Sequence, residues 1–254
     1  MLIPREHGAY GQLAFPLATA LALARPTPGA IALAIAGVAA FLSHESLLII
    51  LGQRGGRAAR EQRTEARRTL LLFGTIAVVG GVLAVVWLNP LARWALALPA
   101  VIALQLAIAV FSGKERTSAG EILAAATLSS LALPVAVGVG VTMRSAFTVF
   151  AVFALIFTMA TTAVRAIIVR GGRGSEPLPR TVAGVLTLSV IGGLRWLGSA
   201  GYVQPIASWA ALPVGALALY LVVRPPAPRQ LRVVGWALVA ATTATAIVLV
   251  VGLR

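Results

Sequence analysis

The sequence predicts an all-α, polytopic membrane helix bundle of about nine transmembrane helices, and three observations predict it. Hydrophobic residues make up 59% of the 254-residue chain at a mean hydropathy of +0.94, too little polar surface to cover a water-soluble globule. Nine apolar stretches follow one another, near residues 8–24, 28–53, 69–89, 91–112, 119–142, 146–169, 181–200, 204–223 and 232–253, most of them long enough to cross a hydrocarbon core. The basic residues gather in alternate connections. With a cytoplasmic N-terminus, 16 of the 21 fall on the cytoplasmic side: Arg5; Arg54, Arg57, Arg60, Arg63, Arg67 and Arg68; Lys114 and Arg116; Arg165, Arg170, Arg173 and Arg180; Arg224, Arg229 and Arg232. The other side keeps Arg25, Arg93, Arg144, Arg195 and Arg254, so the N-terminus is expected inside and the C-terminus outside. Topology thus explains the net charge of +14, and no nucleic-acid partner is expected. Attraction to anionic inner-leaflet lipids is, at about 1 kcal/mol per basic residue near the surface.

Taken in order, the opening MLIPREHGAYGQ lacks a signal-peptide cleavage pattern, so the first apolar segment is expected to stay. Glu6 and His7 precede it, either as an interfacial anchor with the acid near a helix N-terminus or as lining of a cavity mouth. The turn ARPTPG, with Pro26, Pro28 and Gly29, joins segments one and two as a hairpin.

Segment two carries His44 and Glu45, with Ser43 beside them. Ten residues separate His44 from Arg54, roughly 15 Å along a helix. Ionisable groups at membrane depth are costly and usually functional, although mutual satisfaction with a neighbouring backbone is the bland alternative. The following loop is the longest in the chain. Its AAREQRTEARR stretch reads either as a surface helix with local ion pairs or as an anion-binding lid.

IILGQRGGR at 49–57 returns in shortened form as IIVRGGR at 167–173, at the ends of segments two and six. The echo suggests one membrane domain of two pseudo-repeated parts, about 1–112 and 113–254, each with an anion-holding turn; coincidence in an arginine- and glycine-rich chain is the alternative. Before segment five, GKERTSAGEILA places Lys114, Arg116 and Glu121 at the entrance. Thr117 or Ser118 can cap the helix with Glu121 closing a capping box, or Glu121 faces the cavity. Arg165, five residues inside Arg170, either snorkels to the interface or pairs with Glu45 or a ligand phosphate. Segments seven to nine read as scaffold. The absence of cysteine removes disulfides and thiolate chemistry.

PREHGAYGQLAFPLA, the HESLL segment running into its basic loop, and KERTSAGEILA together resemble the YwiC-like family of bacterial integral membrane proteins, over most of residues 1–180. More distantly, nine spans with polar motifs ending the second and sixth resemble the UbiA-type intramembrane prenyltransferases. That resemblance implies a bacterial inner (cytoplasmic) membrane protein with a cavity for an isoprenoid or other membrane lipid. Its aspartate motifs, N-D-x-x-D-x-x-x-D and D-x-x-x-D, hold magnesium and a prenyl diphosphate. Here His44 and Glu45 stand for the first two positions, and Leu48 and Gly52 stand where carboxylates should be. Thr161, Arg165 and Val169 occupy the second motif, and the chain has no aspartate at all.

A conventional magnesium site is therefore not expected, because Glu45 and Glu121 are the only carboxylates near the expected cavity. The resemblance implies a prenyl diphosphate, and the departure from its motifs leaves arginines to face it in place of metal, with His44 and Glu45 as catalytic acid/base or acceptor-orienting groups. The binding residues would be Arg54, Arg57, Lys114, Arg116, Glu121, Arg165, Arg170 and Arg173. A transporter or lipid-binding protein holding the same ligand without chemistry is the rival. A metal site from Glu6, His7, His44 and Glu45 has acceptable ligand types but requires the N-terminal segment to fold into the membrane.

Overall fold

The computed structural model describes residues 7–114, 117–171, 178–227 and 230–254, and among them it is entirely helical. The helices are α1 (His7–Ala22), α2 (Pro28–Ile50), α3 (Gly56–Glu61), α4 (Arg63–Trp87), α5 (Pro90–Ala95), α6 (Ala97–Phe111), α7 (Ser118–Ser130), α8 (Ala132–Gly138), α9 (Met143–Gly171), α10 (Leu178–Ser199), α11 (Ile206–Val223) and α12 (Leu231–Leu253). Eight stretches are long and apolar enough to cross a membrane, with α5–α6 and α7–α8 each forming one of them. The chain is a multi-pass membrane helix bundle. The ninth expected segment, α1, has 16 described residues, roughly 24 Å of helix and shorter than a typical hydrocarbon core. It is nonetheless built into the bundle, packing on α7, α8, α9 and α12 with Leu13, Leu17 and Ala20 buried.

Proline explains the broken spans. Its ring clashes with the carbonyl four residues back and it donates no hydrogen bond. Pro99 and Pro134 point to Ala95 and Ser130, where α5 and α7 end. The intervening Leu96 and Leu131 keep right-handed helical angles, so each span bends without stopping. The ends of α2, α6, α8 and α10 are closed by Gly52, Gly113, Gly140 and Gly201, all at positive φ. At the first of these, the Gln53 amide donates to Leu48 O at 2.9 Å and the Gly52 amide to Ile49 O at 3.1 Å, the paired bonds of a Schellman cap.

α2 and α4 form a tight antiparallel pair. Small residues on α2, namely Gly29, Ala32, Ala36, Ala39, Ser43 and Ser46, recur at alternating spacings of three and four and are all buried. From α4 they meet Ala66, Thr69, Gly80 and Ala84. A Cβ at Gly29 would lie 2.9 Å from the Leu88 amide nitrogen, and one at Gly80 would lie 3.2 Å from Ala32 O. In lipid, close backbone approach of this kind supplies the packing that hydrophobic expulsion from water supplies elsewhere.

The core centres on α8 and α9, where Val135, Val149, Val152, Phe153, Ile156 and Met159 are buried. α4 is held chiefly by α2, and α6 by α7, so both lie at the periphery with most of their surface facing lipid. The AAREQRTEARR stretch is helical as expected, but in two pieces: α3, then the first turns of α4, interrupted at Gln62.

Candidate functional site

Alternation of the spans brings the turns after α2, α6 and α11 and the start of α7 to one end of the bundle. The turns after α1, α4, α8 and α10 come to the other. The first end carries the basic surplus, with Arg57, Arg60, Arg63, Arg67, Arg68, Lys114, Arg224 and Arg232 all exposed.

Two arginine–glutamate forks lie near this basic end. In the first, Arg54 Nε donates to Glu45 Oε1 at 2.9 Å and Nη2 to Oε2 at 2.8 Å. The Schellman turn at Gly52, followed by Gly55 at φ +87°, folds the chain so that Arg54 reaches back beside the helix it has just left. A cation at a helix C-terminus is favoured by the dipole; an acid there needs a partner, and the bidentate fork provides one. Both side chains are largely shielded, at 17% and 28% exposure.

The second fork crosses between helices. Arg165 on α9 donates from Nε to Glu121 Oε2 at 2.7 Å, from Nη2 to Oε1 at 2.8 Å, and from Nη1 to Ser118 Oγ at 2.6 Å. Glu121 sits in the first turn of α7 and Arg165 toward the end of α9, so each charge complements the dipole of its own helix. The pair is 33% and 43% exposed.

These forks decide between alternatives that the sequence left open. Arg165 pairs with Glu121, while Glu45, one of the partners the sequence offered it, is taken by Arg54. The capping box also gives way: Thr117 caps α7 by accepting from the Gly120 amide at 3.1 Å, which leaves Ser118 and Glu121 to bind Arg165. The role of Ser118 had no signal in the chain, because 47 residues separate it from Arg165.

The other candidates divide. His44 is half-buried, next to Ser43, whose hydroxyl donates to Ala40 O at 2.8 Å. Ser46 is fully buried and its hydroxyl has no hydrogen-bond partner among the described residues. Arg57 pairs with Glu61 one turn on, at 2.8 Å and 87% exposure, as a surface helix with local ion pairs would have it. Arg116 and Arg173 lie outside the described residues, as do Glu6 and the side chains of His7 and Arg170.

Among the described residues, no three His, Cys, Asp or Glu side chains gather to hold a metal ion. Glu45 and Glu121 each have both oxygens engaged by arginine. This donor set does not fit magnesium, which requires carboxylates free to coordinate.

Three of the five arginines of the opposite end are spent on backbone carbonyls, as is Arg180 at the basic end, whose Nε donates to Val222 O at 2.9 Å. Arg93 donates to Leu88 O and Val86 O at 2.9 and 3.0 Å, Arg144 grips Val203 O at 3.1 and 2.7 Å, and Arg254 grips Ala22 O at 2.9 and 2.5 Å. Thr27 and Asn89, both helix N-caps, also donate to Gly138 O and Val137 O at 2.9 and 3.1 Å, tying down the end of α8. In the sequence, Arg93, Arg144 and Arg254 read as topology markers and Thr27 as part of the ARPTPG turn, while Asn89 carried no reading.

Residues 3–137 match the family model described as YwiC-like protein. The match takes in Glu45, Arg54 and Glu121 and ends before α9, so Arg165 lies outside it. No curated protein and no solved structure matches the chain.

Proposed function

The chain belongs to the YwiC-like family, and from that premise we propose that it is a multi-pass membrane protein binding an isoprenoid or other lipid that carries a phosphate or diphosphate. The observation that carries this reading is the Arg165 guanidinium, held in bidentate geometry toward an oxyanion at partial exposure. A diphosphate presents the same fork of acceptors with more charge than a carboxylate, so it can replace Glu121 on Arg165. Arg54 offers the same exchange with Glu45, and Arg57 and Lys114 stand exposed at the same end. Arg116, Arg170 and Arg173 belong to this set by sequence position. The basic end faces the cytoplasm of a bacterial inner membrane in this reading, as the positive-inside rule requires.

The finer form of the proposal is prenyl transfer in a UbiA-like manner. The prenyl C–O bond breaks and the diphosphate leaves onto the arginines. The allylic carbon bonds to an acceptor, whose proton passes to Glu45 or His44. Carriage of the ligand without chemistry is the second reading, favoured by the lack of a metal-ligating cluster among the described residues.

Turnover separates the two. Purified protein in lipid would receive labelled geranylgeranyl or farnesyl diphosphate and a panel of aromatic acceptors, with and without magnesium. A prenylated product with released diphosphate, lost in Glu45→Ala and Arg165→Ala, supports the enzyme. Saturable binding without product supports the carrier, and neither result sinks both.

A further inference from the structure

α6 runs along the edge of the bundle, held chiefly by α7, and turns its other side to lipid. On that side Val101, Leu104, Ile108 and Phe111 are exposed at spacings of three and four, the recurrence that forms a seam for a second helix. Large apolar side chains alone do not say what covers them, since lipid suits them as well as protein does. Gln105 differs. It is the one polar residue of α6, it is exposed on the flank of this seam, and no hydrogen bond joins its amide to another described residue.

Its depth makes that arrangement unfavourable. Gln105 precedes Phe111 by six residues, which places it roughly 9 Å along the helix from the basic-end terminus of the span. Side chains tilt toward the N-terminus of their helix. α6 starts at the far end, so the amide leans toward the bilayer centre and away from the nearer interface. Hydrocarbon offers no partner for its two N–H donors or its carbonyl. A polar group at the same depth on another membrane-embedded surface relieves the cost.

A second copy of this chain supplies that group by identity. Two copies inserted the same way hold Gln105 at equal depth, with their α6 helices parallel. An amide both donates and accepts, so a twofold axis along the membrane normal lets each Gln105 donate from Nε2 to the other's Oε1. Between Trp94 and Phe111 the sequence has no charged residue to oppose the approach. We propose that the lipid-facing side of α6 is a homodimer interface, registered by a reciprocal Gln105–Gln105 pair and packed by Val101, Leu104 and Ile108. It shares no residue with the two forks and stands independently of the proposed ligand site.

Energy transfer between full-length chains carrying donor or acceptor dye at the C-terminus, reconstituted in phosphatidylcholine liposomes and diluted with lipid, tests this. The wild type dimerises. Gln105→Leu moves the transition to an about tenfold higher protein-to-lipid ratio, the worth of two interhelical hydrogen bonds, while Gln105→Asn, which keeps the amide, retains part of the affinity. The unfolding midpoint of Gln105→Leu stays at the wild-type value, because the side chain it replaces faces lipid. The chain has no cysteine, so single cysteines locate the contact. Ile108→Cys forms a disulfide-linked dimer on oxidation, whereas Leu188→Cys, exposed on α10, does not. A monomer at every dilution overturns the proposal and leaves this face to lipid or to a different protein. A dimer that Gln105→Leu does not weaken, or one linked through Leu188→Cys and not through Ile108→Cys, overturns it equally, because the contact then lies on another face.

Discussion

The two ends of the bundle use arginine differently, with one exception at the basic end: Arg180 there donates to the backbone carbonyl of Val222, as far-end arginines do. At the far end, Arg93, Arg144 and Arg254 are tied to backbone carbonyls, and Thr27 and Asn89 each bridge between helices. Those carbonyls are helix-end or turn acceptors with few other partners in a membrane protein, so the arginines are structural. At the basic end Arg54 and Arg165 each hold a carboxylate in a bidentate fork, Arg165 adding the Ser118 hydroxyl, and a row of further arginines is exposed. A carboxylate can be exchanged for another oxyanion, whereas a backbone carbonyl stays where the fold puts it. The contrast separates fixed contacts from exchangeable ones, and because both carboxylate forks lie near the basic end, it is the physical basis for proposing that the ligand binds there.

The largest expected effect comes from opening the fixed end. Gly29→Val places a side chain where even a Cβ would be 2.9 Å from the Leu88 amide nitrogen and the Trp87 carbonyl carbon. It should cost about 1–3 kcal/mol, as overpacking does, read as a lower midpoint of unfolding in detergent. Gly56→Val at the basic end, with nothing within 4 Å of the added carbon, should leave that midpoint nearly unchanged. Equal losses from the two would erase the contrast in packing.

Next comes Arg144→Ala, which removes both donors from Val203 O and should destabilise by about 2 kcal/mol. Arg144→Lys recovers only part, because an ammonium lacks the planar fork. Full rescue by lysine would mean that the charge alone matters at the fixed end.

A double-mutant cycle on Glu45→Gln and Arg54→Gln sharpens the other side. Coupling of about 1 kcal/mol is expected for a partly shielded fork, with each single variant costing more than the pair together. The smallest effect belongs to Arg57→Ala, whose ion pair with Glu61 is exposed; its stability change should stay within about 0.5 kcal/mol.

Much of the fold was legible because it depends on local chemistry. Apolar length marked the spans, ARPTPG marked the first hairpin, and the alternation of basic connections matches the two ends of the bundle. The breaks at Leu96 and Leu131 were also in the sequence, in Pro99 and Pro134, and the α2 seam was there in the three-four recurrence of Gly29, Ala32, Ala36, Ala39, Ser43 and Ser46. Interruption of several spans by Gly or Pro was expected, but apolar length alone does not say which interruption bends a span or which small residues form a seam. The site was only half legible. Glu45 stood out as a charge at membrane depth, Arg165 as one inside segment six, Glu121 at the entrance to segment five and Arg54 in the basic loop, but their pairing did not. Arg54 reaches Glu45 through a turn set by Gly52, and Arg165 meets Glu121 across 44 residues, a distance that only the packing of α7 on α9 closes.

The most direct test of exchangeable against fixed arginines is equilibrium binding of labelled geranylgeranyl diphosphate to the protein in lipid nanodiscs. Wild type would be compared with Arg165→Gln, Arg54→Gln and Arg144→Gln, each first shown to be folded. The account predicts saturable, salt-sensitive binding that falls about tenfold or more with either basic-end variant, as loss of a charge-assisted fork does, and stays unchanged with Arg144→Gln. Binding that is absent from the wild type, or that falls equally with Arg144→Gln, would contradict it.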